Sequence, residues 1–514
     1  MEDRTPVLIG AGQFTYRGEA GASPPPTALL KIAADRAAAD AGIGASGLAA
    51  VDTLAVVAYT VDAPNTRRGP IPHAVNPPAA LAARLGASPR WSVYSETGGN
   101  SPQYLVNLLA ERIARGEADL ALAVGCEFLG SAMKRLARGL PFDDWAADEG
   151  GDWPAPERIG DPRPGATPYE RRHGIDRPIN IYPLFENALR ARDGRGIADH
   201  QRRIAALFAP FTAVAAQNPE AWFPVERSPE ELISVSVKNR MIGFPYPKLL
   251  NAIMDVDQSA GVLIASAAKA RALGVPESRW IYLHGCADAA DLWYTLERQN
   301  YHSSPAMRLT GQHALEMAGL DLARVDLFDL YSCFPAAVEI GAESLGLALD
   351  DPRGLTVTGG LPYAGGPGNN YVMHSIGVML RKLRARPEAF GLVTGNGWYL
   401  TKQSVGIYSA RPPERPFERQ DPAVLQAGID ALPHPDIVER PQGPAVIETY
   451  TVVNKREGPF LGIVVGRDEN GRRFAANTPP DPALLASMQT QEQVGRRGRV
   501  ATAPESGLNI FTPE

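Results

Sequence analysis

The sequence predicts an α/β protein: a duplicated body, interrupted by an inserted loop domain and followed by a small β-barrel, OB-like domain. Three observations predict it. Apolar strand-like runs alternate with amphipathic helical runs along most of the chain, which is the pattern of a largely parallel sheet covered on both faces. A glycine-rich turn followed by a helix and a buried strand occurs twice, from Gly98 to Gly125 and from Gly365 to Gly395, over nearly equal lengths. Beyond a proline-rich stretch, short β-rich runs surround turns at Glu457-Gly458 and Asn470-Gly471.

In the first half, strands are expected over 6–10, 51–58, 91–95 and 118–125, with helices over 28–41 and 102–115. Residues 132–228 break the alternation. They are rich in Arg, Asp, Pro, Gly and aromatic residues, with helices over 181–192 and 201–217, and read as an excursion that builds a ligand site. The second half resumes with strands over 280–284, 325–330 and 391–394 and helices over 306–318, 336–345 and 371–384. The resulting division is 1–131, an insertion at 132–228, 229–411, a linker at 412–441 and a β domain at 442–514.

Bulk composition excludes several classes. At 514 residues the chain is too long for one core, and 44% hydrophobic with 21% charged residues is ordinary for a folded protein. A net charge of -6 with no basic stripe argues against nucleic-acid binding. No run is long enough to span a bilayer, and the start Met-Glu-Asp-Arg-Thr lacks the basic and apolar regions of a signal peptide. Three cysteines (Cys126, Cys286, Cys333) fit a reducing compartment, so a cytoplasmic location is expected. Gly10-Ala11-Gly12 lacks the third glycine of a dinucleotide loop, and the histidines show no metal-ligand spacing, so neither NAD nor a metal is expected.

Five motifs then stand in one order. They are Gly98-Gly99-Asn100 before a long helix with Gly125-Cys126-Glu127 after the next strand, Asp257-Gln258-Ser259-Ala260-Gly261, Asp329-Leu330-Tyr331-Ser332-Cys333-Phe334-Pro335, Gly365-Gly366-Pro367, and Gly395-Asn396-Gly397. Over roughly residues 5–410 this order resembles the thiolase superfamily, and the third motif its sterol-carrier-protein type. The resemblance implies a five-layered α/β/α/β/α fold. With the β domain behind the linker, the chain is identified as a member of thiolase-like protein type 1, chains commonly labelled acetyl-CoA acetyltransferases. The basic residues Lys134, Arg135, Arg138, Arg171 and Arg172 lie in the region that binds coenzyme A in thiolases, although a solvated charged face explains them nearly as well.

The chain departs from the family at each reacting group. The nucleophilic cysteine aligns with Gly98 (Gly99 if the register slips by one), its activating histidine with Gly366, and the second cysteine with Gly395. A glycine offers an N–H but cannot attack, so ping-pong acyl transfer through cysteine is not expected.

What remains suggests two classes of function. In one, the protein makes or breaks a carbon–carbon bond in an acyl-CoA or related thioester without a covalent intermediate, including a retro-aldolase-type lyase. Gly98, Gly99 and Tyr331 would then stabilise the oxyanion, His374 would act as base, and Asn370, Asn396, Gly366 and Gly395 would line the substrate site. In the other, it is a non-catalytic acyl-CoA-binding or scaffolding protein. Structural alternatives stay open: Tyr331 as a satisfied core tyrosine, His374 as a packing or capping residue, Asn369 and Asn370 as turn residues, and the cysteines as small buried hydrophobes. No cofactor is expected beyond a coenzyme A thioester as substrate, and monomer and homodimer are both open.

Overall fold

In the computed structural model, which describes residues 2–64 and 71–514, alternating strands and helices build one sheet whose two ends repeat each other. The first five strands are β1 (Pro6–Thr15), β2 (Thr53–Val56), β3 (Trp91–Ser95), β4 (Leu120–Phe128) and β5 (Glu157–Ile159). Short strands β6 (Met241–Gly243) and β7 (Tyr246–Pro247) precede β8 (Asp257–Ser266) and β9 (Ile281–Ala290). The body ends with β10 (Leu327–Asp329), β11 (Phe390–Gly397) and β12 (Lys402–Ser409).

The ten-stranded order is β10-β11-β12-β9-β1-β8-β4-β2-β3-β5. From β2 inward the pairings run parallel to β4, antiparallel to β8 and antiparallel to β1. From β10 inward they run parallel to β11, antiparallel to β12 and antiparallel to β9. The duplication read from the glycine turns is therefore a duplication of strand topology. The halves join where β1 meets β9 through Val7↔Tyr282 and Leu8↔Ile281.

Two helices, Ser101–Ala114 and Tyr371–Ala385, pack on each other and on strands of both half-sheets. They are buried on nearly every side, as helices in a middle layer must be. Helix Pro26–Ala41 covers β1, β8 and β4 from outside, and Pro305–Ala318 covers β9 and β12, giving five layers. Gly10 and Gly12 serve this packing. A Cβ on either would run into backbone of the Ala-rich outer helix, at Ala37 O or Ala33 O.

Beyond β12 the segment 412–441 carries more structure than a linker. Helix Pro422–Asp430 packs on β9, and Arg419 bridges Glu111 and Asp288 at 2.8 and 2.7 Å. Five strands follow: β13 (Gly443–Lys455), β14 (Gly458–Asp468), β15 (Arg473–Asn477), β16 (Arg497–Thr502) and β17 (Asn509–Pro513). They pair in the order β14-β15-β17-β16-β13, and β13 pairs back onto β14, which closes a five-stranded barrel. Its interior is a separate cluster that includes Tyr450, Val452, Phe474 and Phe511.

The barrel is fastened to the body. β6 extends its sheet through Val453↔Gly243, and Asn187 of helix Pro178–Arg192 donates to Tyr450 O at 3.0 Å. Arg473, fully buried, bonds Glu448 of β13 and reaches out of the barrel to Leu296 O at 2.9 Å. Among the described residues no helix is long and apolar enough to cross a membrane.

Candidate active site

The first glycine turn, residues 96–100, delivers the chain into the central helix Ser101–Ala114. Ser101 N donates to Gly98 O at 3.0 Å, and its hydroxyl to Glu96 O at 2.9 Å, which fixes the turn. The two glycine N–H groups have different fates. Gly98 N donates to Asn369 Oδ1 at 3.0 Å, so it is already used; Gly99 N has no acceptor among the described residues. Gly99 N–H thus stands free at the positive end of a helix.

Three side chains, Tyr331, Asn100 and Lys402, occupy the space where a nucleophile on this turn would have to stand. A Cβ on Gly99 would lie 2.7 Å from Tyr331 Cζ, nearer still to its Oη, and 2.6 Å from Asn396 O. A Cβ on Gly98 would lie 2.6 Å from Asn100 Oδ1, 2.8 Å from Lys402 Cε and 2.9 Å from Lys402 Nζ. Gly395 closes the other side, since a Cβ there would stand 3.0 Å from Asn100 Cα. A phenol, an amine and an amide oxygen fill the volume beside the two glycines.

Tyr331 follows β10 and its N–H donates to Thr394 Oγ1 at 2.8 Å, while its ring meets Tyr371 edge-on at 5.7 Å. Its hydroxyl has no hydrogen bond among the described residues. Burial pushes the phenol well above its ordinary value, so it is a donor and never a phenolate near neutrality. Asn396 is held by a residue of the insertion, Tyr182, whose hydroxyl accepts from Asn396 Nδ2 at 2.8 Å and from Leu400 N at 3.3 Å. Tyr182 itself stacks on Phe334 at 4.5 Å. Between them the chain turns through Trp398 and Leu400 at φ 54° and 58°, left-handed positions that only strong surroundings hold for such side chains.

Lys402 opens β12. Its Nζ donates to Thr97 O and lies 6.0 Å from the Trp293 ring centre. Burial lowers its pKa to about 8, against the opposing pull of the Asp161 and Glu96 carboxylates and with help from Arg163.

Of the residues expected here, the structure gathers Gly98, Gly99, Tyr331, Asn396 and Gly395. His374, Asn370 and Gly366 are turned elsewhere. His374 Nδ1 bonds Gln13 Oε1 of β1 at 3.1 Å, its Nε2 has no partner among the described residues, and burial drives its pKa down to about 3, which makes it a feeble base at neutral pH. Asn370 Nδ2 donates to Gly125 O at 2.7 Å, tying the second glycine turn to β4. Gly366 N donates to Ile253 O at 2.8 Å, and a Cβ there would face Ala252 and Leu361. Sequence reasoning missed Tyr182, Asn100 and Lys402.

The chain is similar over its whole length to a solved protein described as a monomeric SCP2-thiolase-like protein type 1 from Mycobacterium smegmatis. Identity is 38%, with 100% of this chain and 99% of that one covered, at a TM-score of 0.84. It belongs to that family. Residues 424–504 match the model described as the thiolase-like protein type 1 additional C-terminal domain, so this domain begins inside the helix that precedes the barrel. Two more distant structures share the fold: an Ltp2-ChsH2(DUF35) aldolase (18% identity, 79% of this chain, 98% of that one, TM-score 0.59) and an acetyl-CoA acetyltransferase from Syntrophomonas wolfei (15%, 79%, 99%, 0.52). No curated protein matches the chain.

This thiolase-like type 1 chain holds its three cysteines buried and unpaired. Burial raises all three thiols, Cys333 to about 12, so none offers a thiolate. Arg135, one of the basic residues of the insertion, is a structural anchor: it is buried and holds both carboxylate oxygens of Asp144 at 2.7 Å. Glu186, His200 and Glu339 lie close enough together to hold an ion, yet both Glu186 oxygens are already bonded, to His200 and to the Tyr246 hydroxyl.

Proposed function

We propose that this protein acts on an acyl-CoA or related thioester, making or breaking a carbon–carbon bond without forming an acyl-enzyme. One observation carries the reading: Tyr331 Oη and Gly99 N–H are neighbouring unpaired donors at the N-terminus of a central helix. Two neighbouring donors of this kind can stabilise an enolate or thioester oxyanion, and a buried setting strengthens them. Gly98 contributes as the residue that admits Lys402, and Gly395 as the residue that lets the turn approach β11. Asn396 positions the Gly99 side of the site through its carbonyl.

The cleavage direction is a retro-aldol, which needs an oxyanion donor and a base but no nucleophile. The shared fold of an aldolase and of an acetyl-CoA acetyltransferase agrees with carbon–carbon chemistry on a thioester. We further take the protein to work as a monomer, like its 38%-identical relative, and to reside in the cytoplasm, where three unpaired cysteines are at home.

The second reading, a non-catalytic acyl-CoA binder, draws on Gly98, Gly366 and Gly395, which carry no reacting group where the family's Cys/His/Cys set aligns. Tyr331→Phe separates the two. The enzyme reading predicts turnover on a panel of 3-hydroxyacyl- and 3-oxoacyl-CoA thioesters that falls about 100- to 1,000-fold in the variant while binding persists. A parent that binds thioesters and turns over none of them favours the binder.

A further inference from the structure

We propose that Lys402 is the base of this site. The proposal rests on the reading of Tyr331 as oxyanion donor and supplies the group that reading leaves out. Position carries it first: beside Asn100 Oδ1 at 2.6 Å, Lys402 Cε and Nζ lie 2.8 and 2.9 Å from where a Cβ on Gly98 would stand, and the family resemblance aligns the nucleophile with Gly98 (Gly99 if the register slips by one). The amine and the Tyr331 hydroxyl therefore flank successive residues of one turn. Lys402 is 8% exposed, and its Nζ has one hydrogen-bond acceptor, Thr97 O, among the described residues, which leaves N–H directions or a lone pair for a ligand.

The charges that face it have partners of their own. Glu96 pairs with Arg158 at 2.7 Å, and Asp161 with Arg163 at 2.6 Å, while Arg163 lies over Trp293 at 3.9 Å, the same ring that Lys402 approaches. Neither carboxylate is thus left to hold the ammonium in place alone, and burial favours the free amine. With its pKa lowered to about 8, a useful fraction of Lys402 is neutral at physiological pH, whereas His374 is engaged at Gln13.

In a retro-aldol the neutral Nζ takes the proton of the substrate's β-hydroxyl. The O–H electron pair becomes the new carbonyl bond and the Cα–Cβ bond breaks. Its pair passes through Cα to the thioester oxygen, where Tyr331 Oη and Gly99 N–H receive the enolate. The ammonium then returns its proton to Cα, so amine and donors end as they began. Without a second substrate, the same amine exchanges the α-protons of a simple thioester with solvent.

Exchange of the methyl protons of acetyl-CoA in heavy water, followed by NMR on the full chain, tests this. The parent is expected to exchange with a rate that rises with pH and levels off above about 8. Lys402→Met is expected to slow exchange about 100-fold or more and to remove the pH dependence, whereas Tyr331→Phe slows it but keeps the midpoint. Exchange slowed by Tyr331→Phe and untouched by Lys402→Met overturns the base and leaves the donor standing. A parent that binds acetyl-CoA and exchanges nothing also overturns the base, and the donor is then judged on the turnover panel. Acetic anhydride labelling of the unaltered protein, read by peptide mass spectrometry, guards against a variant that fails to fold. Lys402 labelling with a midpoint near pH 8 supports the proposal, and a midpoint near that of ordinary surface lysines overturns it.

Discussion

The Tyr331 hydroxyl lies against Gly99, inside the volume a Cβ on that glycine would need, and Tyr331 Cζ itself is 2.7 Å from that point. The absence of a side chain on the turn and the presence of the phenol are one feature. Gly99→Ala should push Tyr331 aside and destabilise the protein by about 1–3 kcal/mol, the usual range for overpacking. Tyr331→Leu in the same chain should relieve part of that loss, a coupling of about 0.5–3 kcal/mol in a double-mutant cycle followed by urea unfolding. Simple additivity would show that the two residues do not share this space.

His374 makes a prediction about acid. Its pKa of about 3 in the fold lies below its ordinary 6.5. Between those values the unfolded chain binds a proton that the folded chain does not, so the contribution to stability is complete above about 6.5 and is lost as pH falls toward 3. The full effect is about 5 kcal/mol. His374→Gln should therefore flatten the fall in melting temperature between pH 6.5 and 4. Parallel profiles for parent and variant would refute the assignment.

Tyr182 connects the insertion to the site through the hydroxyl that accepts from Asn396 and Leu400. Tyr182→Phe leaves two buried donors unpaired and should cost about 1–3 kcal/mol, with kcat falling more than KM rises because Asn396 O adjoins Gly99, the proposed oxyanion donor. Calorimetric unfolding and steady-state kinetics on the active thioester check both halves.

Arg473 fastens the barrel. It is fully buried and bonds Glu448 as well as backbone carbonyls of the body at Leu296 and Arg298. Arg473→Met should destabilise by about 3–5 kcal/mol by leaving those carbonyls without a donor and Glu448 with Arg467 alone, and Arg473→Met with Glu448→Met should recover only the part of the loss that comes from Glu448. Urea unfolding of both variants measures it.

Much of this architecture was legible because the pattern that encodes it is local. The glycine turns before Ser101 and Tyr371, the apolar runs between, and the turn at Glu457-Gly458 each mark an element within a few residues. The duplication, the five layers and the barrel follow from their order. Strand β12 escaped because Lys402, Gln403, Ser404, Gly406 and Ser409 make a buried central strand look polar. Lys402 escaped with it, although a lysine entering a run that ends Val-Gly-Ile-Tyr was the available signal. His374 misled for a geometric reason. Three residues beyond Tyr371 turn a helix by about 300°, and the imidazole comes to face Gln13 of β1 while Tyr371 meets Tyr331. Asn370 and Gln13 show the general limit: polar residues beside a site are as often recruited to tie strands and turns together, and only distances tell the two uses apart.

Intact-protein mass spectrometry after incubation with acetyl-CoA asks whether this turn handles a thioester without a cysteine nucleophile. The expected result is no acetyl adduct on any of the three cysteines, including Cys333 beside the site. An acetyl group on any cysteine, removed by hydroxylamine, would contradict it.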